Sequence, residues 1–411
     1  MNHDKDTQQK KIIVLGAGLV GGPMALDLAM EPHFAVTVAD IDGAALAALQ
    51  KRQPELEVLE RDFSDTSRVT ELVAGYDLVL NAMPGFMGYS TLQAILAAGR
   101  DVVDISFFAE DPFSLQDAAQ ETGVTAIIDC GVAPGLSNLL VGRVAEQLDQ
   151  LDSVEIYVGG LPEVRQWPYE YKAVFSPIDV IAEFTRPARY VENGAMVTRP
   201  ALTDPELIDF PGLGTLEAFN TDGLRSLAHT ISSPNMKEKT LRYPGHVEKM
   251  AVLRDTGFFD ESEIRVGSSV VRPLDVTAAL LFPKWKLDPG EVDLTALWVR
   301  MAGRLDGQAV RYDYRMLDRY DADSGTHSMA RTTGYTATAA IRMLAEGLYR
   351  EPGIVPPERI GRHRQAYDFM MACLRERGVV LEEEVVSQAS VVGRLASGVD
   401  TEMQHATEGA P

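Results

Sequence analysis

Cysteine is scarce in this chain of 411 residues, with Cys130 and Cys373 the two present. Two thiols leave no disulfide framework and no zinc-ligand spacing, and no metal is expected. Long apolar runs are missing too, since no stretch approaches the ~20 residues needed to cross a bilayer. The first eleven residues are polar and mixed in charge, without the apolar centre of a signal peptide, so a cytoplasmic location is expected. Basic residues are in deficit: 38 Lys and Arg against 60 Asp and Glu leave a formal charge of −22. That balance argues against a nucleic-acid partner, which wants clustered Lys and Arg. It fits solubility or adaptation to salt, and a small-molecule partner. Any site for an anionic group must then gather its basic residues locally.

What is present is the profile of a globular protein, with 45% hydrophobic and 24% charged residues. β-Branched runs at 11–16, 34–40, 56–62, 77–83, 101–106 and 125–130 read as strands, with helical spacing between them. Strand and helix alternating over 130 residues mean an α/β fold, a doubly wound parallel Rossmann sheet. Beyond Gly135 the texture changes to loops, aromatics and strand-like runs, with a hairpin expected around Asp306-Gly307. A helical pattern returns at 329–349. The expected organisation is a dinucleotide-binding domain at 1–135, then an inserted α+β domain at 136–328 for substrate and dimerisation. Residues 329–411 are expected to return to the first domain as helices, with a frayed tail from about 390.

Gly16-Ala17-Gly18-Leu19-Val20-Gly21 follows the first strand and opens a helix, the context in which GxGxxG binds a dinucleotide. Gly16 makes the tight turn, Gly18 admits the pyrophosphate, and Gly21 lets helix pack on strand. Leu19 and Val20 bring the free N–H groups of the helix start to the phosphates. Asp40 ends the second strand about 20 residues further on, where an acidic side chain takes the ribose 2′-OH. With Ile41 beside it, that carboxylate repels a 2′-phosphate, so NAD is expected rather than NADP. Asp62 and Phe63 are candidates to flank the adenine. Asn81, Ala82 and Met83 are candidates near the ribose, because ligands sit outside the carboxyl ends of the strands. Cys130 has no His near it in sequence and is read as a small apolar group lining the nicotinamide pocket.

Several blocks carry a resemblance: GAGLVGG (16–22), DCGVAPGLSN (129–138), YVGGLP (157–162), YEYKAVFSP (169–177), LEAFNTDG (216–223) and KTLRYPGHVEK (239–249). With them the chain resembles the saccharopine dehydrogenase-like family over about residues 11–380. The resemblance implies oxidation of an amine-bearing carbon by hydride transfer to nicotinamide, then hydrolysis of the imine. Two activities are in view: lysine 6-dehydrogenation, which releases ammonia, and glutamate-forming saccharopine cleavage. The acidic Asp40 and the form of the KTLRYPGHVEK block tilt the expectation toward the first.

An amino-acid substrate needs a cation for its carboxylate, best a bidentate Arg. The segment from Arg225 to Lys249 is the local gathering of basic residues, and Arg242 with Tyr243 beside it is the expected anchor. Both proton steps need a base poised near neutrality, and His246 is the candidate by intrinsic pKa. Tyr171 and Lys172 form a second polar pair. Asp104 and Asp129, near strand ends, are candidates to pair with the substrate ammonium. Asn220 and Thr221 lie in a polar turn that offers substrate contacts. Other hydride transfers on the same fold, and an NAD-binding sensor without turnover, remain as competing readings. A homo-oligomer is expected.

Overall fold

The computed structural model describes residues 9–387. β1 (Lys10–Leu15) carries Ile12, Ile13, Val14 and Leu15, all fully buried, as a strand covered on both faces requires. β2 (Phe34–Asp40), β3 (Glu57–Glu60), β4 (Leu78–Asn81), β5 (Asp101–Asp104) and β6 (Thr125–Ile127) run parallel to it. Their spatial order is β6-β5-β4-β1-β2-β3, so the winding reverses between β1 and β4. Such a reversal opens a crevice at the carboxyl ends of the strands. Helices Gly21–Ala29 and Gly43–Arg52 follow β1 and β2, the second capped by the Asp42 side chain on Ala44 and Ala45 N–H.

The second unit is a mixed sheet. β7 (Gln150–Pro162) is its long central strand, followed by β8 (Ala188–Glu192), β9 (Ala195–Arg199), β10 (Glu206–Phe210), β11 (Gly214–Asn220) and β12 (Asn235–Arg242). A small separate hairpin, β13 (Ile264–Val266) with β14 (Ser269–Val271), precedes β15 (Asp293–Leu305) and β16 (Gln308–Arg319). β12 lies parallel beside β7, and β15 lies antiparallel on its other side. The β15–β16 turn falls at Asp306-Gly307, both at positive φ (51° and 74°), as a two-residue hairpin turn demands.

The C-terminal part departs from the expected set of helices. Helix Ser328–Ala345 lies against helix Gly21–Ala29 and β5, and also against β15. β17 (Gly353–Val355) then adds a seventh parallel strand beside β6, and β18 (Glu382–Ser387) pairs with β16 in the other sheet. Neither strand shows in the sequence: β17 is three residues long, and β18 is an acidic edge strand without an apolar face. The tail expected to fray, from about 390, lies outside the described residues. Among the described residues no helix is long and apolar enough to cross a membrane.

A buried charge network fixes the helix behind the glycine loop. Asp27 accepts from Thr338 Oγ1 (2.5 Å), Arg342 Nη1 (2.8 Å) and Arg377 Nε (2.7 Å). Glu31 accepts from Arg342 Nε at 2.8 Å. Helix Gly21–Ala29 is thereby tied to the helix that reaches the second sheet, so both walls of the crevice share one support.

Candidate active site and cofactor cleft

A cavity of about 650 Å³ runs from the glycine loop to the face of β12. Its first half is shaped by side chains that are absent. Gly16 holds φ at +103°, and a Cβ there stands 2.7 Å from the Ala82 carbonyl oxygen. A Cβ on Gly21 meets the Gly16 carbonyl oxygen at 2.1 Å, so strand and helix touch at that position. At Gly18 a Cβ meets nothing within 4 Å, which leaves its cavity side open for a phosphate to approach. Leu19, Val20, Asp40, Ile41, Asp62, Ala82 and Met83 line this half with the three glycines, as does the mostly buried Phe63. Asp40 Oδ2 accepts from Ala17 N–H at 2.5 Å and Oδ1 from Asp42 N–H at 2.8 Å. The Asp62 carboxyl, at the surface, is lowered by the backbone N–H and hydroxyl of Ser64. Arg61, at the end of β3, also lines this part and was not anticipated.

Three candidates for this region stand behind the wall and need correcting. Asn81 is buried and gives its Nδ2 to Asp104 Oδ2 at 2.7 Å, so it supports the Ala82–Met83 turn from beneath. Asp104 accepts from Ser106 N–H at 2.6 Å, and burial pushes its carboxyl up to about 7. Neither reaches the cavity. Cys130 is fully buried facing the Thr336 carbonyl, with its thiol pushed up by burial; its neighbours Asp129 and Gly131 line the cavity in its place.

The second half is built by strand register. Alternate residues of a strand share a face, and Glu238, Thr240 and Arg242 of β12 all line the cavity. Across from them helix Pro177–Thr185 presents Asp179 and, one turn on, Glu183. Arg242 is 2% exposed. Its Nη2 donates to Glu183 at 2.6 Å and its Nη1 to the Leu241 carbonyl at 2.9 Å, while Nε has no partner. Glu238 is buried without a cation. Thr221 Oγ1 (2.6 Å) and Gly223 N–H (3.0 Å) donate to it, and burial pushes its carboxyl up to about 8. Thr221 and Asp222 line the same end, where Arg189 clamps Asp222 through Nε (2.9 Å) and Nη2 (2.8 Å).

Asp129 lines the cavity and is held by Arg225, whose Nε lies 3.2 Å from both carboxylate oxygens. Both residues sit at positive φ (51° and 50°), an uncommon conformation for either, of the kind found at functional sites. Arg225 also donates to the Phe108 carbonyl at 2.7 Å, joining the two halves of the molecule beside the cavity.

Five second-half candidates fall away from the cavity wall. His246 is packed among Tyr171 and Phe184, with Nδ1 3.0 Å from the Tyr169 carbonyl; burial, with Arg242 nearby, pushes it down to about 3. Sealed in this aromatic cluster, the imidazole stands off the cavity wall. Tyr171 is buried under the Arg242 guanidinium, 4.7 Å from its ring centre, and its hydroxyl has no partner. Lys172 points elsewhere, to the Lys286 carbonyl (3.0 Å), Asp288 (3.3 Å) and Glu291 (2.8 Å). The Tyr243 hydroxyl donates to the Pro162 carbonyl at 2.9 Å. Asn220 bonds Thr203 and Asp204, so the polar turn offers Thr221 and Asp222 in its stead.

Two family profiles cover nearly all of the described chain: the saccharopine dehydrogenase NADP binding domain over residues 12–127 and the saccharopine dehydrogenase C-terminal domain over residues 131–379. Alpha-aminoadipic semialdehyde synthase, mitochondrial, of Bos taurus is 26% identical over 259 residues, 59% of this chain; the match spans 28% of that relative's length. Saccharopine dehydrogenase (NADP+, L-glutamate-forming) of Saccharomyces cerevisiae is 23% identical over 92% of this chain and 100% of its own. The solved apo structure of that enzyme has the same fold, with a TM-score of 0.75 at 21% identity, covering 92% of this chain and 100% of that one. Carboxyaminopropylagmatine dehydrogenase of Synechocystis sp. is 23% identical over 91% of this chain and 98% of its own.

Proposed function

The chain belongs to the saccharopine dehydrogenase family, and from that premise we propose that it is an NAD-linked dehydrogenase acting on the CH–NH bond of a secondary amine. The observation that carries this reading is the continuity of one cavity from the open Gly18 loop to the buried Glu238 and Arg242. The relatives' names favour the saccharopine type of reaction, in which a substituted amine leaves, over lysine 6-dehydrogenation, the first expectation from the sequence. A nicotinamide held in the first half supplies the hydride acceptor that turns the CH–NH bond into an imine.

Around that chemistry each residue has a definite task. The N–H groups near Gly18 and the start of helix Gly21–Ala29 hold the pyrophosphate. Asp40 takes the ribose hydroxyls, and its charge selects NAD, unlike the NADP+ in the yeast relative's name. Arg242 binds the substrate carboxylate, with Glu183 keeping the guanidinium in place. Glu238 takes the proton that leaves the amine nitrogen. Held near 8, its carboxyl can accept that proton and return it to the departing amine after water has added to the imine.

The test is NADH formation at 340 nm with secondary-amine substrates, saccharopine first, followed by analysis of the amine released. A primary amine formed in step with NADH is the expected result. Ammonia from lysine as the principal product, or no NADH from any secondary amine, overturns the reading.

A further inference from the structure

Five carboxylates line the substrate half of the cavity: Asp129, Asp179, Glu183, Asp222 and Glu238. One cation lines it with them, Arg242. The other arginines stand behind the wall. Arg225 is spent on Asp129, Arg189 on Asp222, and Arg186, near Asp179, donates to the Phe107 and Phe108 carbonyls. A bound molecule therefore meets carboxylate oxygen along most of its length. The acids also press on one another: beyond burial itself, Asp179 raises the carboxyl of Glu183, and Glu183 and Asp222 raise that of Glu238. Such a row is relieved by a cation placed among its members. Among the described residues these acids are not grouped as ligands for a metal ion.

The place for a negative group is equally limited. Arg242 has two of its nitrogens engaged by Glu183 and the Leu241 carbonyl, and its buried Nε is the donor left without a partner. A buried donor of this kind wants one acceptor. Saccharopine carries three carboxylates, and two of them find no cation on these walls.

We infer that this half of the cavity takes a secondary amine with one carboxylate and at least one further ammonium group, an N-carboxyalkyl di- or triamine in class. The amino-acid end meets Arg242 and Glu183, the reacting nitrogen meets Glu238, and the ammonium tail lies against the remaining acids, Asp179 above all. The inference rests on the secondary-amine reading above. The CH–NH bond gives a hydride to NAD+ and a proton to Glu238; water then adds to the C=N bond, and the C–N bond breaks to an aldehyde and a free amine.

The experiment compares kcat/KM for carboxynorspermidine, a triamine with one carboxylate, with that for saccharopine, and adds calorimetric titration of both into the full chain without NAD. The triamine is expected to lead by 100-fold or more in kcat/KM and to bind more tightly in the titration. Saccharopine equal or better on both measures overturns the inference and leaves the secondary-amine reading standing. Failure of every secondary amine to yield NADH overturns that reading instead, and the titration still reports the charge preference. Asp179→Asn, which keeps an acceptor for Gly85 N–H, is expected to weaken triamine binding about tenfold and to leave saccharopine unchanged or improved. An equal loss for both compounds means Asp179 is merely structural and overturns its part.

Discussion

Along its cofactor half the cavity wall is built around the glycine loop and the ends of neighbouring strands; along its substrate half it is drawn from β7, β12, helix Pro177–Thr185 and the 221–223 turn. On the first side, specificity comes from what glycine leaves out. A Cβ at Gly21 would sit against the Gly16 carbonyl, and a Cβ at Gly18 would project into open space beside the loop. On the second side it comes from acids and arginines in pairs, each member set by a partner far along the chain. Asp129 with Arg225 and Arg242 with Glu183 are of this kind. A glycine loop tolerates little variation in shape and carries no charge of its own. A paired site can be retuned one residue at a time, so substrate identity is expected to be written there.

The largest effect should come from the substrate half. Glu238→Gln keeps the shape and the acceptor for Thr221 but holds no proton. A drop in kcat of about 10²–10⁴-fold is expected, with NADH binding unchanged in a fluorescence titration. Glu238 acts as a base once it has lost its proton, so wild-type activity should climb as pH rises through about 8. The variant should lose that limb. A limb that survives in Glu238→Gln assigns the proton to another group.

Arg242→Lys comes next. Lysine keeps the charge but has no planar fork to serve Glu183 and a carboxylate together. A loss on the order of 2–4 kcal/mol is expected, about 30- to 1000-fold in kcat/KM and chiefly in KM. Substitution by Ala is a poorer probe, since it strands buried Glu183 without its cation. NADH binding weakened together with KM would erase the division between the two halves.

The same division explains what the sequence discloses. The glycine motif is contiguous and its spacing is its geometry, so its position on the cavity and the alternation of strand and helix around it can be read directly. Arg242 could be singled out because basic residues are rare here. Glu238 was missed although strand alternation places it four residues from Arg242 on the same face; that signal needed β12 to be recognised as a strand. His246 attracted attention through its intrinsic pKa, which burial among Tyr171, Phe184 and Trp285 overrides. Lys172 is claimed by Asp288 and Glu291, partners more than a hundred residues away that no local pattern reveals. β17 and β18 escaped for a similar reason, since each exists only by pairing with a distant strand.

The smallest expected effect tests a side chain on which the cofactor half depends. Asp40 stands at the carboxyl end of β2 with each oxygen already accepting an N–H, from Ala17 and from Asp42. Those two bonds aim the carboxylate, and its remaining lone pairs are free for ribose hydroxyls. A 2′-phosphate placed there would face that charge, with Asp42 two residues on and Arg61 the nearby cation lining the cavity. Asp40→Ser with Ile41→Arg removes the repulsion and supplies a guanidinium that can grip phosphate in a bidentate fashion. The ratio of kcat/KM for NADP to that for NAD should rise on the order of tenfold, about 1.4 kcal/mol. Serine is too short to hold Ala17 N–H, which loosens the glycine turn and should weaken both cofactors somewhat. Steady-state kinetics with each cofactor at saturating amine separates these effects, since the loosened turn lowers both values and the charge change moves only their ratio. A wild-type chain that already prefers NADP would show Arg61 outweighing Asp40, and the cofactor half would then owe its selectivity to β3 instead of β2.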